Sequence, residues 1–204
     1  MDRNEQQPGT RIERRKEDTR RKVVESAMRL FQEHGFDAVT MEQIANAVDI
    51  AKGTLYNHFP VKEAILDEYI RMGFRARYPA QITLIHSLPG TRARMTALLT
   101  DLIEGIRRQP VIFERYFSYR IRQMITLKQD ETQASGFYKV EAEIIRLGQE
   151  SGELRADMPF SLLQALFEFA FVEIAQNYYA DPAGFDGPRV TAQCVDLFMN
   201  GAHR

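Results

Sequence analysis

The chain has 204 residues, 44% of them hydrophobic and 27% charged, with a formal net charge of −1. That length suits a small domain beside a larger one with a sizeable core, and no apolar run reaches the roughly 18 residues that a membrane span needs. The balanced charge excludes a bulk polycation, and one cysteine, Cys194, excludes an internal disulfide and fits a reducing cytoplasm.

The first residues, MDRNEQQPGTRIERRKEDTRR, are polar and lack the apolar centre of a secretory signal. Residues 1–17 read as a flexible basic arm, either lying along a polyanion or serving as a solubilising tail. A helix is expected from about Asp18 to His34, with Val23, Val24, Ala27, Met28, Leu30 and Phe31 on one stripe and Gly35 as its C-cap. Thr40 and Gln43 fit a capping box, and Met41, Ile44, Ala45 and Val48 recur at the spacing of one helix face. Asp49, Ile50 and Ala51 make a short connector. Lys52 to Phe59 then reads as a second short helix, whose apolar side is Leu55 and Phe59. Two helices with so tight a turn form a helix-turn-helix, and the second can enter a DNA major groove.

That second helix carries a surface with no core task. Lys52, Gly53, Thr54, Tyr56, Asn57 and His58 lie off its apolar side, and Gly53 lowers helix stability by about 1 kcal/mol against alanine. Hydroxyls and an amide suit phosphate oxygens and base edges, while Lys52, His58 and Lys62 offer donors to phosphates. Plainer readings stand beside these: core packing for Tyr56, a satisfied structural histidine for His58, a solvated charge for Lys62. From Met1 to Leu66 there are 11 basic and 11 acidic residues, which cancel, so the case rests on local distribution. Between Ile50 and Lys62 there are two lysines and no acid.

The segment from Phe36 to Leu66, FDAVTMEQIANAVDIAKGTLYNHFPVKEAIL, resembles the DNA-binding domain of the TetR family of transcriptional regulators. The KGTLYNHF core followed by KEAIL is the strongest part. Asp49, Ala51 and Val61 stand where that family often has glycine, serine and a small polar helix cap. The resemblance implies that Thr54, Tyr56, Asn57, His58 and Lys62 meet DNA and that Thr40 sits where the preceding helix touches the backbone. It also implies a homodimer over a palindromic operator, with the two reading helices about one turn apart, roughly 34–36 Å.

Beyond Pro60, a connector helix is expected from Lys62 to Phe74 or Tyr78, with a looser joint at Pro79 and Pro89-Gly90. The divisions expected are 18–67 for the DNA-binding domain and 68–204 for a ligand-binding and dimerisation domain. Five helices should follow: Thr91 to Arg108 with Thr91 as its cap, Pro110 to about Lys128, Glu131 to Glu150, about Pro159 to Tyr179, and about Pro188 to Gly201. No stretch alternates at period two. The fold class is therefore all-α, about nine helices, with a small three-helix head and a larger helical body.

The stretch FSLLQALFEFAFVEIAQNYY is apolar on almost every side, so it needs two partners. A second copy of the chain would cover one side, with Leu166, Ala170, Ile174, Val195 and Phe198 at the contact. The plainer arrangement is a helix buried centrally in a monomer. Aromatics cluster in the body. Phe74, Tyr78, Phe113, Phe117, Phe137, Phe167 and Phe171 are candidates for an effector pocket, with His86, Gln123, Gln164 or Gln176 as polar contacts, and ordinary core is the other reading of each. The family resemblance implies such a pocket and release of DNA when it fills. HExxH, CxxC, GxxxxGK[ST] and GxSxG do not occur in the sequence, and no cofactor is expected. The competing class is an all-helical protein-interaction or small-molecule carrier module without DNA binding.

Overall fold

Nine helices and no strand make up residues 11–125 and 136–202, the residues described by a computed structural model of the chain. They are α1 (Arg11–His34), α2 (Met41–Val48), α3 (Lys52–His58), α4 (Lys62–Ser87), α5 (Thr91–Arg108), α6 (Pro110–Ile125), α7 (Gly136–Glu150), α8 (Phe160–Ala180) and α9 (Gly187–Ala202). The arm up to residue 10 and the expected helical residues 126–128 and 131–135 lie outside the described residues. Packing divides the chain into two units between Tyr69 and Ile70.

In the first unit, α1 begins at Arg11, seven residues before the expected start at Asp18. Residues 11–17 are exposed but rich in Arg, Lys and Glu, which favour helix. Extending an existing helix needs no new nucleus. The helix ends where Gly35, at φ 82°, donates its amide to the Phe31 carbonyl. Val23, Val24, Ala27, Met28 and Phe31 face inward, and α1 packs on α2; Ile44, Ala45, Leu55, Phe59, Ile65 and Leu66 are buried in the same unit. Phe36 closes this core, its ring 4.9 Å from that of Phe31.

The capping box of α2 is present as expected. Gln43 N–H donates to Thr40 Oγ1 at 3.2 Å, and Thr40 N–H donates to Gln43 Oε1 at 2.7 Å. Asp49 ends α2 in the left-handed region, φ 56° and ψ 50°, with its amide on the carbonyls of Ala45 and Asn46. A short polar side chain tolerates that region better than most, which is why Asp stands in for Gly at this turn.

The expected joint at Pro79 is not there. Pro79 lies inside α4, which continues to Ser87. A proline in a helix interior removes one hydrogen bond and costs about 3 kcal/mol. The turns beyond it are held to the second unit by other means. Gln81 Nε2 donates to Asp101 Oδ2 at 2.9 Å, His86 pairs with Glu143 at 2.7 Å, and Ile85 is buried.

In the second unit α5 is the central helix, in contact with α6, α7, α8 and α9. Met95, Leu98, Leu99, Leu102, Ile103 and Ile106 are its buried face. Thr91 is not the cap of α5 but its first residue. Gly90 is the N-cap, and the Thr91 amide donates to Glu153 Oε2 at 2.5 Å. A carboxylate at a helix N-terminus meets both an orphan N–H and the positive end of the dipole. At Gly105 the backbone of α5 lies so close to α6 that a Cβ would sit 2.9 Å from the Phe113 ring, so any larger residue would have to displace that ring.

Candidate nucleic-acid interface, effector cleft and association surface

The short helix α3 buries one residue, Leu55, and exposes Lys52, Gly53, Thr54, Tyr56 and Asn57. Tyr56 is 43% exposed, so core packing does not explain it. A Cβ built on Gly53 meets nothing within 4 Å, so nothing inside the chain requires glycine at this position. The wet face is thus polar, acid-free and bare at one point, which lets another backbone approach closely. Lys52 Nζ lies 3.7 Å from Glu42 Oε2, an exposed pair that salt screens and a phosphate can replace.

Two of the expected contact side chains, Thr40 and Lys62, are engaged in bonds within the chain, and His58 is half-buried. The Thr40 hydroxyl serves the capping box. The Lys62 ammonium donates to the carbonyl oxygens of Phe36 at 2.8 Å, Asp37 at 3.4 Å and Val39 at 2.6 Å, and lies 4.7 Å from the Phe36 ring centre. Three donors and three acceptors match, so this lysine holds α4 to the loop before α2. His58 is half-buried, and its Nδ1 has no hydrogen-bond partner among the described residues. Burial pushes the imidazole below its ordinary value, and the charges of Arg20 and Lys16 push it the same way. Both effects disfavour the charged imidazolium in the free chain.

The sequence shows Arg20 only as one of eight bases between Arg11 and Arg29. It donates through Nη1 to the His58 carbonyl oxygen at 3.1 Å and through Nη2 to Glu68 Oε2 at 2.9 Å. It reads as one more base in a basic run, and only its place one step from the buried stripe, before Val23 and Val24, separates it from the others.

The second unit contains a small, partly open cleft between α4, α5, α6, α7 and α8. Phe74, Phe117, Phe137 and Phe171 line it, together with Tyr116 and Tyr138. Phe137 is the hub of the wall, 5.1 Å from Phe74 and 4.2 Å from Phe171 between ring centres, both edge-on. Three other candidates are elsewhere. Phe167 is fully buried in the core beside Phe198, Phe113 packs on Gly105, and Tyr78 is half-exposed on α4. Among the described side chains, none of the proposed polar contacts lines the cleft. His86 is paired with Glu143, Gln176 is exposed, Gln164 sits beside buried Glu141, and the Gln123 side chain lies outside the described residues. The polar groups in the wall are instead Arg120, Tyr138 and Glu168. Arg120 donates to the Tyr138 hydroxyl and lies over that ring at 5.3 Å. Burial pushes the Tyr138 phenol up to about 12 and raises the Glu168 carboxyl, which Arg120 opposes. The visible signal was Glu168 itself, the lone charge in the apolar run from Phe160 to Val172.

The association surface also differs in its residues. Ala170, Ile174, Val195 and Phe198 are buried inside the subunit, because they are where α8 and α9 pack on each other and on α5. Of the five candidates only Leu166 is exposed, at 45%. The uncovered large apolar side chains of α8 are Phe160, Leu162, Leu166 and Phe169, the last three spaced i, i+4 and i+7, with Leu197 exposed on α9. The sequence showed that α8 had two apolar faces but not which one turned inward.

A sequence profile described as bacterial regulatory proteins, tetR family, matches residues 23–69. The HTH-type transcriptional repressor KstR2 of Rhodococcus jostii (strain RHA1) is 34% identical over 188 residues, covering 89% of this chain and 90% of that protein. The probable acrEF/envCD operon repressor of Escherichia coli (strain K12) is 24% identical over 202 residues, covering 89% and 87%. Thermus thermophilus FadR, a TetR family transcriptional repressor solved in complex with lauroyl-CoA, superposes with a TM-score of 0.71 at 25% identity, covering 89% of this chain and 94% of that one.

Proposed function

The chain belongs to the TetR family of bacterial regulatory proteins, and from that premise we propose that it is a homodimeric repressor released from a palindromic operator by a small-molecule effector. The observation that carries the reading is the wet polar face of α3. Lys52, Thr54, Tyr56 and Asn57 are exposed around a glycine that no internal contact requires. In the bound state Tyr56, Thr54 and Asn57 meet phosphates and base edges, and Lys52 leaves Glu42 for a phosphate. Thr40 and Lys62 act by holding the ends of α2 and α4, and His58 acts through its backbone.

The dimer forms through Leu162, Leu166 and Phe169 of α8 and Leu197 of α9, an exposed apolar strip of the kind that marks an association site. The effector enters the aromatic cleft of the second unit. The solved relative binds lauroyl-CoA, and the ring-lined wall here supports an effector with a comparable apolar body and a polar group meeting Arg120, Tyr138 or Glu168. Helix α4 begins in the first unit and ends in the second, with Phe74 in the cleft wall. An effector that prefers one position of α4 thereby changes the spacing of two reading heads. Moving that balance from 1:99 to 99:1 takes about 5.5 kcal/mol of differential binding.

Selection of bound sequences from a random duplex pool tests the proposal. Enrichment of an inverted repeat with half-sites about 10 base pairs apart, or a multiple of that, supports it. Enrichment of nothing over the input pool favours the protein-interaction or carrier module.

A further inference from the structure

Two cations tie the start of α4 to the reading head, and one of them ends on α3 itself. The Arg20 guanidinium joins the His58 carbonyl oxygen, at 3.1 Å, to Glu68 Oε2, at 2.9 Å, and lies 4.6 Å from the centre of the Phe59 ring. His58 is the last residue of α3, and its carbonyl is among those a helix end leaves without an internal partner. A guanidinium there also meets the negative end of the helix dipole. Glu68 is 5% exposed and lies in α4, two residues before the division between the units.

Geometry, more than stability, is what this fork delivers. An ion pair with one buried partner adds little over an apolar replacement. A planar fork gripping two acceptors on two helices, by contrast, fixes their relative angle. Helix α3 has seven residues, too few to be stable alone, and Ala51 gives it no side-chain cap at its start. What grips its far end therefore sets how its exposed face is presented.

We propose that Arg20 is a positioning residue for DNA reading: by joining Glu68 of α4 to the His58 carbonyl of α3, it sets the angle of the α3 face and carries any displacement of α4 to it. The inference rests on the DNA-binding reading above. It assigns α3 and α4 one mechanical link through a residue that need not touch DNA. Lysine at position 20 keeps the charge but cannot hold both acceptors in one plane, and Glu68→Gln keeps the shape but removes the charged half of the fork.

The test uses the full chain, a duplex selected from a random pool and a random-sequence duplex of equal length. Affinities for both are measured for wild type, Glu68→Gln, Arg20→Lys and Val24→Ala, with the folded fraction of each followed by circular dichroism. Val24→Ala truncates the core of the same unit and removes no group of the fork itself. The expected result is a loss of about tenfold, equivalent to about 1.4 kcal/mol, in affinity of both fork variants for the selected duplex. Their affinity for the random duplex stays within about twofold, and Val24→Ala keeps the ratio of the two. If either fork variant unfolds, the other carries the comparison. Fork variants that keep the wild-type ratio, as Val24→Ala does, overturn the inference while leaving the DNA-binding reading intact. A wild-type chain that binds neither duplex overturns both.

Discussion

The ammonium of Lys62 donates to the Phe36 carbonyl oxygen at 2.8 Å, and the same group reaches the Val39 carbonyl at 2.6 Å. The loop that leads into α2 is thus fastened to the first turn of α4. Lys62→Met should lower the stability of the first unit by about 1–3 kcal/mol, the usual loss for hydrogen bonds to a charged group. In the folded fraction, the salt slope of duplex binding should stay as it is. A slope reduced by about one unit would instead mark Lys62 as a phosphate contact. Urea unfolding and anisotropy titrations at several salt concentrations separate the two outcomes.

Gly53 gives the sharpest contrast between stability and function. A methyl group at this position meets nothing within 4 Å. Gly53→Ala should therefore stabilise the chain by about 1 kcal/mol, the helix-propensity gain. It should also weaken binding to a selected duplex, because the methyl stands where another backbone approaches. Stabilisation without loss of affinity would show that the bare spot faces only water.

Phe169 is 63% exposed on α8. Phe169→Glu places a charge in the apolar strip and should shift the chain from dimer to monomer in sedimentation equilibrium, with little change in the circular dichroism of each subunit. Ile174 is fully buried, so its truncation should lower stability by about 2–5 kcal/mol whatever the association state.

Glu141 is fully buried, and neither carboxyl oxygen has a hydrogen-bond partner among the described residues. Burial raises this carboxyl well above its ordinary range, and the nearby charge of Glu168 adds to the rise. The folded state therefore holds a proton that the unfolded chain releases in the ordinary carboxyl range. Stability from this group is fully present below about pH 4.3, the unfolded value, and is lost as pH rises towards the raised folded value. Glu141→Gln should accordingly be more stable than wild type at pH 7, with the difference shrinking to nil below the ordinary carboxyl range. Urea midpoints of the two chains across that range measure it.

Much of the head was legible because its signals are local. The Thr40–Gln43 capping box, the stripe of Met41, Ile44 and Ala45, and the polar outside of α3 all lie within a few residues of one another. What the sequence left unread depends on residues far apart in the chain. Arg20 meets Glu68 across 48 positions, Lys62 meets Phe36 across 26, and Thr91 meets Glu153 across 62. No local pattern shows that a basic side chain is engaged by a distant carbonyl. Pro79 reads as a break because local propensity opposes it, yet packing and hydrogen bonds beyond it carry α4 through. The cleft was half legible for a related reason. Aromatic residues are equally at home in a wall and in a core, and only the packing of α4 through α8 separates Phe137 from Phe167.

The central claim is that the exposed face of α3 binds duplex DNA, and anisotropy titration of a selected duplex between 50 and 200 mM salt tests it most directly. With about six phosphates neutralised per subunit, the log–log slope should be about −0.9 for each contact. Tyr56→Ala should weaken binding without moving the melting temperature, since Tyr56 is 43% exposed. Binding that ignores salt, or a Tyr56→Ala chain that melts much earlier while keeping its affinity per folded molecule, would contradict the account.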